Sequence, residues 1–347
     1  MAASGKSVRS RARAPNRSAV IGGALCCAMA LFALLGPVLS GHDPLASDFV
    51  HGLDPITNLP AAPSSRYWLG TDRLFRDELA RLAVGARLSL VIGVVATGIA
   101  TGIGTFVGIV AGWFEGERGV RVPAATLAAF VLAVLAAVGE RGAVAGVLLA
   151  AGVASWAWAA WRPNAVLARG PHIDVDAILM RAVDVGLSFP FLLLVMAIGA
   201  AVDRTSVTTI LLVLGLTGWL GIARIVRAKT MQVRRFEFIE AARALGHHTP
   251  RVLFSHVLPN VFGPVIVIAT AQVAQMILAE SVLSYLGAGV TPPTPTWGGM
   301  LAEGQDYFGV TPWLVLCPAT AILVTVLGFN LVGEGLRDAL DPRETKR

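Results

Sequence analysis

The sequence predicts an all-α membrane protein that crosses the bilayer about eight times. Three observations predict it. Of the 347 residues, 55% are apolar and only 14% are charged, where a soluble domain carries roughly a quarter, and mean hydropathy is +0.69. The apolar residues come mostly in runs of about twenty, the length a helix needs to cross the hydrocarbon core. Lys and Arg collect between alternate runs, as they do in cytoplasmic loops. The net charge of +6 therefore speaks for orientation and not for nucleic acid, which is not expected as a partner. Cys26, Cys27 and Cys317 lie inside apolar runs and read as small buried hydrophobes.

The elements follow in order. Residues 1–18 carry Lys6, Arg9, Arg11, Arg13 and Arg17 and no acid, so they form a basic cytoplasmic N-terminus. The run 19–39 is too long for a signal-peptide core and no A-x-A site follows it; it reads as a retained first span. Residues 40–87 are polar and lie outside. Within them 77–87, DELARLAVGAR, is amphipathic and is expected to lie along the outer interface. The second span, 88–114, has two four-residue glycine series, Gly98 with Gly102, and Gly104 with Gly108 and Gly112. Both read as faces for close helix packing.

Residues 117–173 hold two shorter apolar runs, 122–138 and 143–161, separated only by Gly139-Glu140-Arg141-Gly142. They predict a transmembrane hairpin anchored by Trp156, Trp158 and Trp161. The remainder, 174–336, supplies spans at 183–202 (kinked by Pro190), 206–226, 257–286 and 312–336, with a strongly basic loop at 227–256. A cytoplasmic tail, 337–347, closes the chain, so both termini are expected inside.

No G-x-x-x-x-G-K-[ST] loop, metal cluster or nucleophile elbow is present in the sequence. His247 and His248 are adjacent and cannot face one ligand from successive helical turns. The chain is read as no enzyme, with no metal and no cofactor of its own. What stands out is 240–259, EAARALGHHTPRVLFSHVLP, a polar basic island between two spans. Phe236, Ile239, Ala242 and Leu245 fall at helical spacing and Gly246 supplies a stop. A second short helix is expected with Thr249 as N-cap and Pro250 at its first position.

Glu240-Ala241-Ala242, then three residues, Gly246, and later Leu258-Pro259, resemble the EAA motif of bacterial ABC importer membrane subunits. Other pieces extend the likeness. They include Leu69-Gly70-Thr71-Asp72, Arg76-Asp77, Gly85-Ala86-Arg87-Leu88-Ser89-Leu90, Met180-Arg181, Phe189-Pro190 and Asn260. Leu283-Ser284-Tyr285-Leu286-Gly287, Trp297-Gly298 and Arg337-Asp338-Ala339-Leu340-Asp341-Pro342 belong to it too. Together, over roughly 19–116 and 174–343, they are similar to the second permease subunit of dipeptide and oligopeptide importers. The resemblance implies a six-span permease core, to which 117–173 adds a hairpin. It departs at Phe75, where the family usually has glycine.

The resemblance further implies that Glu240, Ala241, Ala242, Arg243, Gly246, Leu258 and Pro259 form a coupling element that docks on an ATP-binding subunit. ATP and magnesium would be bound by those partners. The expected assembly has a homologous second permease, two ATP-binding subunits and an extracytoplasmic binding protein, in the inner membrane, with short peptides as cargo. Glu280, an acid inside a span, is read as a gate or interhelical contact, with interfacial solvation and substrate contact as other readings. Asp184 and Pro190 are placed with it. Rival readings are an importer for nickel or another small solute, an ion-coupled carrier, and a membrane scaffold.

Overall fold

The computed structural model describes residues 17–116, 174–201 and 206–340, with 120–121, 129, 147, 150–152, 154 and 172–173. The start of the basic N-terminus, nearly all of the hairpin and the end of the tail lie outside the described residues. The long elements are α1 (Arg17–Ser40), α2 (Glu78–Phe114), α3 (Val175–Ser188), α4 (Phe191–Ala201), α5 (Val207–Thr217) and α6 (Trp219–Arg234). After them come α7 (Glu237–Ala244), α8 (Thr249–Val252), a π turn (Leu253–Val257), α9 (Leu258–Tyr285), α10 (Trp297–Gly304) and α11 (Trp313–Leu340). Among the described residues five stretches are long and apolar enough to span a membrane, six if α3 and α4 are one broken span. A short antiparallel pair, Val120 opposite Ile173 and Arg121 opposite His172, joins the two ends of the inserted segment.

The chain divides into two compact units. The first comprises Met1–Ile103, Phe189–Ile222 and Phe262–Arg347. Its core gathers Ala33, Leu82, Ala86, Val273, Ile277, Trp297, Met300, Ala321 and Ile322. Here α1 lies against α11 because small residues let the backbones meet. A Cβ on Gly22 would come within 2.6 Å of the Val332 nitrogen, and one on Gly335 within 2.5 Å of the Ala19 Cβ.

The outer loop corrects the expectation for 77–87. These residues are not a separate interfacial helix but the first turns of α2, a single helix of 37 residues. Asp77 caps it, its Oδ1 accepting the Leu79 N–H at 2.9 Å. Arg76 and Arg81 are buried, not interfacial. Glu303 on α10 accepts from both, at 3.2 Å from Arg76 and 2.8 Å from Arg81. Asp72 Oδ2 completes the group, 2.7 Å from Arg76 Nε and 3.1 Å from Arg81 Nε. A charge cluster of this kind avoids the desolvation cost of lone buried ions only because each has a partner.

The same loop answers the departure at Phe75. The hairpin loop after Asp72 needs a left-handed residue at its end, and Phe75 adopts it, with φ 59°. Its N–H still bonds the Asp72 carbonyl at 2.9 Å, and its ring meets Phe49 edge-on at 5.5 Å.

The second unit comprises Gly104–Ser188 and Ala223–Val261. Gly108 and Gly112 bring the end of α2 onto α6: Cβ atoms there would lie 2.6 Å from the Ala223 carbonyl and 2.7 Å from the Arg227 carbonyl. The other glycine series behaves differently, since among the described residues nothing lies within 4 Å of a Cβ at Gly98 or Gly102. Two further boundaries differ from expectation. Helix α3 begins at Val175, eight residues earlier than the predicted span, and the chain is broken at Pro190 instead of kinked within one helix. Proline lacks the N–H that would continue the ladder. Helix α6 runs on to Arg234, so much of the basic loop is helical. Its cations find partners there: Arg227 grips Asp176 through two bonds at 2.5 Å, and Arg224 meets Asp184 at 2.5 Å.

Candidate functional site

The EAA segment folds as two helices about a glycine. Helix α7 begins after Phe236, whose extended backbone provides the N-cap, and ends at Ala244. Gly246 then turns left-handed, φ +78°, the conformation that lacks a Cβ penalty only for glycine. Its N–H bonds the Arg243 carbonyl at 2.9 Å, and the His247 N–H bonds the Ala242 carbonyl at 3.2 Å. These two bonds complete a Schellman cap on α7. The following helix starts at Thr249, one residue earlier than expected, with His248 as its N-cap and Pro250 inside the first turn.

The exit from this segment holds a feature the sequence pattern did not show. Leu253–Val257 is a π turn, and the Leu258 N–H reaches back to the Leu253 carbonyl. Pro259 follows at once. It has no N–H to give and its ring crowds the carbonyl four residues back. Widening the preceding turn relieves both.

The expected coupling residues separate into exposed and seated groups. Glu240, Ala241 and Gly246 are exposed, as is Pro259; Leu258 is half-buried. Ile239 and Ala242 are buried. Phe236 and Leu245, expected on the same apolar face, are not buried with them: Leu245 is 78% exposed, at the tip beside Gly246. Phe254 is 70% exposed and Phe238 is also exposed. Phe238 stands near both Phe236, at 5.7 Å between centroids, and His256, at 6.3 Å. His256 in turn stacks on His247, 6.3 Å away and 7° from parallel. So the segment presents two carboxylates, Glu237 and Glu240, the guanidinium groups of Arg243 and Arg251, small residues and an aliphatic and aromatic edge.

Arg243 is exposed, and its guanidinium carbon lies 4.3 Å from the centroid of Trp113 on α2. Sequence reading missed Trp113, Phe238 and Phe254. Three phenylalanines within an otherwise polar basic segment were the available signal for the last two.

The other predicted residues belong to other elements. Asp184 is paired with Arg224, and Pro190 sits at the break between α3 and α4. Glu280 on α9 is 0% exposed, which removes interfacial solvation as its role. Its carboxylate accepts from Ser89 Oγ at 3.0 Å and from Ser284 Oγ at 2.8 Å, tying α9 to α2. Among the described residues no group of three or more His, Cys, Asp or Glu is placed to hold a metal ion.

The EAA segment is thus an exposed helix–glycine–helix knob between two spans. Comparison with known proteins decides the family. Residues 165–346 match the family described as binding-protein-dependent transport system inner membrane component. The chain belongs to this family. It is 34% identical over 331 residues to the oligopeptide transport system permease protein OppC of Escherichia coli K12, covering 95% of this chain and 88% of that protein. It is 31% identical over 328 residues to the dipeptide transport system permease protein DppC of Alkalihalophilus pseudofirmus, covering 94% and 86%. The glutathione transport system permease protein GsiD of Pectobacterium atrosepticum is 31% identical over 285 residues, covering 82% and 75%. This ABC-type permease is a multi-pass inner-membrane protein.

Proposed function

We propose that this permease is the second membrane subunit of an ATP-driven importer of short peptides. It works with a homologous permease, two ATP-binding subunits and an extracytoplasmic binding protein. Both termini and the EAA segment lie in the cytoplasm, in keeping with the arginines of α6 and the loop after it. ATP and magnesium are held by the partner subunits. Closure of those subunits pulls on the knob, and the spans switch between two packings, one open inward and one outward.

The observation that carries this reading is the exposed knob of Glu240, Ala241 and Leu245 around the left-handed Gly246. Small Ala241 permits close approach, Glu240 offers a charge, and Leu245 gives an apolar tip. Peptide cargo is supported by what the oligopeptide and dipeptide relatives are named for. An ion-coupled carrier finds no support at Glu280, whose carboxylate is engaged by two serine hydroxyls.

Glu240→Lys and Gly246→Trp test the reading. Each should abolish uptake and weaken co-purification of the ATP-binding subunits while membrane insertion stays intact. Wild-type uptake in both would defeat it.

A further inference from the structure

Helix α7 has eight residues, and a helix that short does not hold itself together in water. Its N-cap residue makes no side-chain capping bond, and only Ile239 and Ala242 are buried along it. The cap bonds at Gly246 and His247 close its C-terminal turn but tie it to nothing outside the segment, so a further contact must carry a pull on the knob into a span.

The candidate lies at the end of α2. Trp113, the second-last residue of that helix, is 1% exposed. Two guanidinium groups face its ring, Arg243 from the last turn of α7 at 4.3 Å and Arg234 from the end of α6 at 5.9 Å. Arg234 also donates from Nη1 to the Glu115 carbonyl at 2.7 Å. Both cations meet negative charge density here. The indole face carries quadrupole electron density, and the end of α2 carries outward-facing carbonyls. Gly112 makes room for this arrangement by letting α6 lie directly on α2 one residue earlier.

We propose that Trp113 is a positioning residue that seats the coupling helix, with Arg243 and Arg234 clamped over one ring, so that force on α7 passes into α2. Trp113 is buried and does not itself touch an ATP-binding subunit. Arg243, though exposed, serves as the strut to the Trp113 ring, and Glu240 and Leu245 are the docking contacts. The proposal rests on the reading of the EAA segment as the docking element.

The test uses the full importer in proteoliposomes with its binding protein and a tripeptide as cargo. It measures co-purification of the ATP-binding subunits, ATP hydrolysis, and peptide imported per ATP hydrolysed. Trp113→Leu should keep the ATP-binding subunits associated yet lower the import-to-hydrolysis ratio roughly two- to five-fold, the size of effect that a cation–π contact with an exposed guanidinium supports. Trp113→Tyr, which keeps a π face, should recover most of the ratio. If Trp113→Leu does not insert, Arg243→Gln, which leaves the ring in place, should give the same uncoupling with association intact. A wild-type ratio in Trp113→Leu, or in Arg243→Gln where the first variant fails, overturns the proposal. Glu240→Lys runs beside them: if it keeps the ATP-binding subunits bound, the docking reading fails, whatever Trp113 does.

Discussion

Replacing Gly246 by a graded series isolates the turn on which the knob depends. The residue sits at φ +78°. Among the described residues nothing lies within 4 Å of a Cβ built there, so a side chain meets no obstacle. The cost of Gly246→Ala is therefore the backbone cost of a left-handed L-residue, about 1–2 kcal/mol. That is a factor of roughly 5–30 in the equilibrium between the closed and opened cap. Asparagine tolerates this conformation better, and valine tolerates it worse than alanine. The two bonds at stake are those from Gly246 N–H to Arg243 and from His247 N–H to Ala242. Amide exchange at residues 246 and 247 reads them directly. Exchange should quicken in the order Gly, Asn, Ala, Val, while thermal unfolding of the rest of the protein stays unmoved because this tip touches no core. Exchange in Gly246→Ala no faster than in the wild type, or slower in Val than in Ala, would refute the reasoning.

Three other outcomes follow from the same physics. Phe75→Gly should relieve the left-handed backbone at φ 59° but lose the edge contact with Phe49. The net is a stabilisation of the outer loop by about 1 kcal/mol or less, read as slower proteolysis of residues 41–77. Glu280→Leu leaves the Ser89 and Ser284 hydroxyls without their acceptor, at a cost on the order of 1–3 kcal/mol for each group. Glu280→Gln keeps the acceptor for one hydroxyl and reverses the other bond, its amide N–H donating to the serine Oγ, so the thermal midpoint should fall clearly for leucine and little for glutamine. Asp48 is held below its ordinary value of 3.8 by the backbone N–H of His51 and by the Tyr67 hydroxyl. A depressed carboxylate contributes stability above its unfolded value that is lost as pH falls toward the folded one. Protection of the outer-loop amides, measured against exchange of the unfolded chain at the same pH, should therefore fall as pH drops below that ordinary value. Asp48→Asn should flatten that dependence.

What was legible in the sequence was local. The left-handed stop at Gly246 and the helix on either side of it followed from residue type and spacing. So did the apolar runs, whose ends in α1, α9 and α11 lie within a few residues of those expected. What was not legible depended on partners far along the chain. Arg81 looked interfacial because Glu303, which binds it, lies more than two hundred residues away. The contact of Arg243 with Trp113 was equally invisible, because Trp113 lies far off along the chain. Glu280 stood out as an acid in a span, but its burial rests on Ser89 from another helix. The π turn is a subtler case: Pro259 signalled that the ladder would be interrupted, without saying which of several local remedies the backbone would take.

The central claim is that the knob docks on an ATP-binding subunit through its exposed tip. The most direct measurement places a photo-crosslinking amino acid at position 245, 254 or 239 in the assembled importer. Positions 245 and 254 project from the tip and its flank, and 239 is buried beneath them. Crosslinks to the ATP-binding subunit from 245 and 254, and none from 239, are the predicted result. An intact complex in which 245 and 254 fail to crosslink to that subunit would contradict it.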